Sequence, residues 1–334
     1  MEEPKMKEHI GNITRMLGET WKGALVTAGI LGGLFQHIDS EEPVTLKELS
    51  RKTKYDEGKL DKWLYYMTQE GVVNKDGEHY TLTPKGVFFS PASPLKDLFG
   101  LIQINEYYMN AALSAGDTFK KNKSLDKLSE GKVSRLYQPK VSDNFSAVLF
   151  EYFQQFNMKP EDSLLDLGCG NGSFLRIMAK MIPEIKFTGI DTNLFAIEKA
   201  KKENQMFGLA DRIELLVGDI TEDMKDFAEN SYDWVTGINI FHFIEKSKRM
   251  DVLRNMLRIA RKGIFYTQVL VESAPMTAAA DPLMSLLWND FSGFFRKEEA
   301  DEMNRTVREE YPDFQEKVFP VLMDTSNLVV VLKQ

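Results

Sequence analysis

Residues 164–172 read LLDLGCGNG, and about twenty residues later residues 187–193 read FTGIDTN. An apolar run that stops at closely spaced glycines is a strand feeding a turn whose backbone can come close to a ligand. The glycines stand at Gly168, Gly170 and Gly172, a G-x-G-x-G spacing. Dinucleotide sites use G-x-G-x-x-G, with the pyrophosphate at a helix N-terminus. Here an acid, Asp166, sits two residues before the first glycine, inside the mouth where the ligand would lie. A carboxylate there repels a pyrophosphate and favours a ligand that carries positive charge.

Two further acids share the register. Asp191 closes the GID of the next strand-like run, 21 residues after Gly170. An acid there can accept both hydroxyls of a ribose. Asp219 closes LLVGD in the run after that and is followed by Ile220; a carboxylate there can meet the amino group of adenine. One Asp at a strand end is often only a turn or cap residue. Three, on three successive strands, describe a nucleoside ligand bearing an ammonium and a sulfonium, which is S-adenosylmethionine.

Working outward, strand-like runs (SLLDLG, KFTGID, IELLVGD, YDWVTGIN, GIFYTQVLVE) alternate with helical ones, as in a mostly parallel α/β sheet covered by helices. The end, KVFPVLMDTSNLVVVLKQ, reads as an antiparallel edge hairpin turning at DTSN. Toward the start, residues 10–38 read as one or two apolar helices, with helical spacing at Ile13, Leu17, Trp21 and Leu25. The run at residues 24–35, ALVTAGILGGLF, is too short for a bilayer, which needs about 20 residues, and predicts a buried helix. VTLKELSRKT opens a short helix with a Thr45–Glu48 capping box, and KLDKWLYYMTQEG is a second helix ended by Gly71. VVNKDGEHYTLT alternates around Asp76-Gly77, a hairpin signal. Helix, turn, helix and hairpin make a winged-helix pattern. The second helix carries Asp56, Glu57 and Asp61 against Lys59 and Lys62, with Trp63, Leu64, Tyr65, Tyr66 and Met67 as packing bulk. DNA reading is not expected of it.

Charge supports that view. The 334 residues carry a net −8, nearly all of it in residues 159–334. An acidic unit repels a phosphate backbone, so no nucleic-acid partner is expected. The KAKK cluster at residues 199–202 reads as a solvated helix face. The single cysteine, Cys169, excludes an intramolecular disulfide and fits a reducing, cytoplasmic compartment. The acidic start lacks the apolar core of a secretion signal, and no membrane span is expected. Cys169 has no His or acid paired with it in sequence, and no metal-ligand spacing occurs, so no metal is expected.

LLDLGCGNGSFL, FTGIDTN and IELLVGDI resemble the motifs of class I S-adenosylmethionine-dependent methyltransferases. With the helical start, the winged-helix pattern, IFHFIE after the fourth strand and FSGFFRKEEADEM near the end, nearly the whole chain resembles the small-molecule O-methyltransferases of secondary metabolism. Their members act on plant phenolics and bacterial polyketides and dimerise through the N-terminal domain. The resemblance implies an α/β, Rossmann-like methyltransferase domain over residues 159–334, preceded by a helical, winged-helix dimerisation domain over 1–100 and linking helices over 101–158. It also implies a homodimer and S-adenosylmethionine as cofactor, held by Asp166, Gly168, Gly170, Gly172, Asp191, Asp219 and Ile220. The acceptor would be a small aromatic or polyketide-like molecule.

Transfer aligns a nucleophile opposite the sulfonium and excludes water. A phenolic acceptor, pKa about 10, must shed a proton. The resemblance places His242 at the family's general base, although a histidine at that position is also a structural residue in many class I enzymes. The plant-type enzymes follow it with Asp-Trp, where this chain has Phe243-Ile244. Their two orienting acids align with Gln268 and Phe295 here, which leaves a neutral amide and a phenyl ring. Glu272 and Asp290 are weaker alternative bases. The segment between them, with Met276, Met284, Trp288 and Asn289, and then Phe294, is where the family builds its acceptor pocket. Tyr107, Tyr108 and Met109 would form the roof. Transfer to oxygen follows from the resemblance; carbon, nitrogen, a protein side chain, or cofactor sensing without catalysis remain open.

Overall fold

In a computed structural model the chain divides into two compact units, residues 1–103 and 104–334. The structure describes residues 3–91, 149, 152–156, 158–182, 184–273, 277–278, 281–282, 284–285, 291–321 and 326–333.

The first unit opens with α1 (Glu3–Leu31), which ends at a left-handed Gly33 before a short 3-10 turn, Leu34–Gln36. The expectation of a buried helix over residues 24–35 holds only at its end. Leu34 and Phe35 are buried, whereas Leu31 is 41% and Trp21 66% exposed. The cause is coverage. Among the described residues, the packed side of α1 faces Trp63: the Trp63 indole N–H donates to the Leu25 carbonyl at 3.0 Å, and Phe35 stands edge-on to its ring.

Next come α2 (Leu46–Thr53) and α3 (Glu57–Gln69). Thr45 and Glu48 form the expected reciprocal cap, the Thr45 N–H donating to Glu48 at 2.8 Å and the Glu48 N–H to Thr45 at 3.3 Å. Helix α3 buries Leu60, Trp63, Leu64 and Met67 on one face. Strands β2 (Val73–Asp76) and β3 (His79–Leu82) pair around the Asp76-Gly77 turn, and β1 (Val44–Thr45) pairs with β3 in an antiparallel sheet ordered β1-β3-β2.

The second unit holds a seven-stranded sheet. Its strands are β4 (Ser163–Leu167), β5 (Lys186–Asp191), β6 (Ile213–Val217), β7 (Tyr232–Gly237), β8 (Ala260–Val269), β9 (Gln315–Val321) and β10 (Ser326–Leu332). Their order is β6-β5-β4-β7-β8-β10-β9. Strands β4 to β8 pair in parallel, and β10 runs antiparallel to both neighbours. The C-terminal hairpin is therefore present, but its second strand lies inside the sheet and β9 forms the edge. Burial explains the placement: Leu328 to Val331 are fully buried, whereas β9 is mostly exposed and suits an edge.

The short helix α4 (Pro84–Val87) follows β3 in the first unit, and in the second unit α5 (Ser173–Met181), α6 (Leu194–Met206), α7 (Arg249–Ile259) and α8 (Lys297–Glu310) complete the described scaffold. Side chains alternate along the strands into two cores. Leu165, Val235, Ile264 and Val329 join α7 and α8; Leu164, Trp234, Phe265 and Val330 join α5 and α6. The chain walks outward from β4 to β6 and then returns to the other side of β4 at β7. That reversal opens a crevice at the carboxyl end of β4, where open α/β sheets bind ligands. No helix among the described residues is long and apolar enough to cross a membrane.

Candidate active site

The crevice begins where β4 stops. The Gly168 and Cys169 N–H groups donate to the Ile190 carbonyl at 2.8 and 3.1 Å, which folds the turn against β5. Gly168 has φ +70°, and a Cβ there would lie 2.5 Å from Cδ1 of Ile240. The position demands glycine on both counts. Gly170, also left-handed, donates its N–H to Oδ2 of Asp191 at 2.8 Å. The other Asp191 oxygen accepts from the Asn193 N–H at 2.8 Å. This acid is thus fixed across the glycine turn, and each oxygen retains a lone pair for a hydroxyl. Gly172 is the N-cap of α5.

Asp166 is only 3% exposed. Its Oδ1 accepts from the Thr236 hydroxyl at 2.7 Å, across the β4–β7 register that sets the two residues opposite each other. Burial pushes its carboxyl up to about 7; the Asp191 charge adds to the rise and the Thr236 bond opposes it. A buried carboxylate at this pKa fits a cationic partner, which would draw it into the ionised form. Asp219 is exposed beyond β6. Its Oδ1 accepts from the N–H and hydroxyl of Thr221, both at 2.8 Å, and its own N–H donates to Asp223 at 2.6 Å. The Ile220 side chain is buried in the core with Ile190 and Met224. The Cys169 thiol packs into the α5 side of the sheet, and burial beside Asp166 and Asp191 holds it well above its ordinary pKa. These residues fit S-adenosylmethionine: a glycine turn for close approach, a braced acid on β5, and a buried acid able to meet a cation.

The opposite wall follows β7. Asn239, at φ +54°, is held by Thr267, whose Oγ1 accepts from the Asn239 N–H at 2.7 Å. The hydroxyl of Thr267 also donates to Asn239 Oδ1 at 3.2 Å. This sharp exit leads into the turn Phe241–Phe243 that carries His242. His242 is 8% exposed, and its ring lies 4.5 Å from Phe243, 5.3 Å from Phe294 and 5.8 Å from Phe291. Among the described residues no hydrogen bond reaches the imidazole. Burial, reinforced by the Arg249 cation, pushes it down to about 3, so it is neutral at physiological pH.

The neighbours expected to orient His242 are engaged elsewhere. The Gln268 amide is fully buried and donates to Asn304 on α8 at 3.0 Å, which Tyr266 also reaches at 3.1 Å. Gln268 lies on the α8 side of β8, and its Oε1 is buried with no hydrogen-bond partner among the described residues. Phe295 is bound into the backbone of Val269 and Val271. Glu272, an alternative base, is exposed and accepts from the Lys297 N–H at the start of α8 at 3.1 Å. Phe294 lies against His242, and Met284 is half-buried. Tyr107, Tyr108, Met109, Met276, Trp288, Asn289 and Asp290 lie outside the described residues. Among the described residues no group of three His, Cys, Asp or Glu side chains could hold a metal ion.

Sequence reasoning missed Thr236, Asn239, Thr267 and Arg249. Thr236 becomes visible only once β4 and β7 are paired in register. Arg249 stands in KSKRMD, which reads like a solvated charge cluster.

A parallel sheet reversing at β4, with one antiparallel strand inserted beside the far edge, defines the class I methyltransferase fold. Residues 158–305 match the family model described as "Methyltransferase domain". The match places a methyltransferase domain over that stretch of the chain. It is 29% identical over 104 residues to malonyl-[acyl-carrier protein] O-methyltransferase of Legionella pneumophila, a match covering 31% of this chain and 34% of that protein. The chain thus spans about a third of that relative's length. Among solved structures, a protein of Nostoc punctiforme assigned as an O-methyltransferase superposes with TM-score 0.71 at 19% identity, covering 97% of this chain and 98% of that one. CalO1, a methyltransferase in calicheamicin biosynthesis in its SAH-bound form, superposes with TM-score 0.69 at 16% identity over the full length of both chains.

Proposed function

We propose that this chain moves the methyl group of S-adenosylmethionine to a small, flat, aromatic or polyketide-like acceptor, most readily at oxygen. The observation that carries the reading is the meeting of two walls at one sheet end: the glycine turn with Asp166 and Asp191, and the aromatic-lined turn of His242. The names of similar structures, which include O-methyltransferases, support it. S-adenosylmethionine, when bound, supplies an electrophilic methyl group on a sulfonium.

In this reading Asp166 meets the ammonium end, Asp191 accepts the ribose hydroxyls, and Asp219 with Ile220 borders the adenine. Phe291 and Phe294 exclude water from the acceptor and stack against its ring. The acceptor's electron pair forms the new bond to the methyl carbon as the carbon–sulfur bond breaks, its pair remaining on sulfur. The neutral His242 donates a hydrogen bond from its ring N–H to the acceptor oxygen and sets its direction. Taking a proton from a phenol of pKa about 10 onto an imidazole near 3 would cost on the order of 9 kcal/mol. The favoured acceptor therefore has an acidic hydroxyl that is ionised before transfer.

The same surroundings favour a second reading, transfer to an activated ring carbon or neutral amine, which asks less of a base. For the N-terminal unit we propose a winged-helix dimerisation role, supported by the exposed Trp21 and Leu31 on α1. A partner copy would cover them.

The test is methyl-labelled S-adenosylmethionine incubated with the protein and cell extract, separated into small-molecule, protein and nucleic-acid fractions. Label in the small-molecule fraction is the expected result. Label in protein overturns the acceptor class, and label nowhere overturns the transfer itself.

A further inference from the structure

Arg249 is a buried cation in the acceptor half of the second unit. It is the first residue of α7, 2% exposed, and among the largest fully buried side chains. A guanidinium loses much of its hydration at such a site and persists only when its donors are matched. Its Nε–H donates to the Ile244 carbonyl at 3.2 Å, one residue beyond the His242 turn. One terminal nitrogen donates to the Gly293 carbonyl. The other donates to Glu299 on α8, and the guanidinium lies 4.5 Å over the Phe295 ring. Gly293, at φ +96°, is the pivot of the 291–295 segment.

That segment is stitched on both sides of the pivot. The Ser292 N–H donates to the His242 carbonyl at 2.8 Å, and the Phe294 N–H to Asp281 at 2.6 Å. Phe291 and Phe294, two of the three rings against His242, therefore flank the carbonyl that Arg249 holds. The charged groups around this node are Arg249 and Lys246 on one side and Asp281 and Glu299 on the other; Lys246 also reaches Glu299, at 3.3 Å.

We propose that Arg249 is the positioning residue of the acceptor pocket, pinning the Phe291–Phe295 wall to the turn that carries His242. This rests on the reading of that turn as the acceptor wall. Arg249 acts through His242, Phe291 and Phe294. Its planar fork reaches two carbonyls and a carboxylate at once, which the single ammonium of lysine cannot reproduce.

The experiment uses the full chain with 13C-labelled histidine, whose four imidazoles are readily assigned by NMR. In the wild type the His242 signal stays constant between about pH 5 and 8. In Arg249→Met it moves and titrates within that range, while calorimetric affinity for S-adenosylmethionine stays within roughly twofold. Arg249→Lys, which keeps the charge and loses the fork, gives an intermediate shift. An unmoved His242 signal in Arg249→Met overturns the proposal. So does a roughly tenfold parallel loss of cofactor affinity, which would make Arg249 a brace for the whole domain. Should Arg249→Met not fold, Glu299→Gln replaces it: a smaller shift of His242 supports the clamp, and none overturns it. Failure of the wild type to bind S-adenosylmethionine overturns the cofactor reading instead, and the His242 signal still judges the clamp.

Discussion

The two halves of the candidate site are built by different means. On the cofactor side, backbone geometry does the work: glycines at positive φ, a carbonyl that receives two amides, and acids at the ends of adjacent strands. On the acceptor side, side chains from distant segments converge. His242 follows β7, Phe291 and Phe294 precede α8, and Arg249 joins them from α7. Backbone-built sites follow from local sequence and tolerate little change. Side-chain-built walls depend on tertiary packing and can be remodelled, which lets one fold accept many acceptors.

The sharpest way to break this contrast is to remove the braced acid. Asp191→Ala is expected to weaken S-adenosylmethionine binding by at least about 100-fold in calorimetry, since it deletes the ribose acceptor and the Gly170 anchor together. Unchanged affinity would end the assignment of this wall. The turn itself comes next. Gly168→Ala forces a Cβ into a left-handed position against Ile240 and should cost about 2–4 kcal/mol. At about 2–4 °C per kcal/mol for a unit of this size, thermal unfolding will show it clearly.

Asp166 gives a prediction of opposite sign for stability and binding. Its carboxyl is raised when folded, so the folded chain binds more protons than the unfolded chain between about pH 4 and 7. The stability it lends is present at low pH and lost as pH rises toward 7. Asp166→Asn, without cofactor, should therefore be more stable than the wild type at about pH 8, yet bind S-adenosylmethionine roughly tenfold or more weakly. Thermal unfolding across pH, paired with calorimetry, checks both signs.

A smaller effect is expected at the acceptor wall. A general base is worth about 10²–10⁴ in rate, whereas a directing hydrogen bond is worth about tenfold. His242→Gln should lower kcat by about tenfold or less once an acceptor is in hand. A fall beyond about 10² would make His242 the base and contradict its reading as a neutral, ring-packed group.

The same division explains what the sequence could tell. The order of strands, the capping box at Thr45, the Asp76-Gly77 hairpin and the glycine turn are written in short-range patterns, and each appears in the structure. The inward position of β10 was not legible from its pattern, because a continuous apolar run such as NLVVVL fits an edge hairpin until the neighbouring strand is known. At the site, Asp166 and Asp191 could be picked out by their spacing from the glycines. Thr236 could not, since nothing in VTG says that it lies opposite Asp166. Gln268 aligned with an orienting acid, yet the alternation of β8 turns it to Asn304. Arg249 was hidden among charged neighbours, because burial of one cation in a run of four is a tertiary fact.

Titration calorimetry of the wild-type chain with S-adenosylmethionine at several pH values from about 6 to 7.5 tests the central claim most directly. Binding is expected at one site per chain, tightening as pH rises through the range where Asp166 ionises. Absence of binding at every pH would contradict it, and binding that does not respond to pH would remove Asp166 from the site.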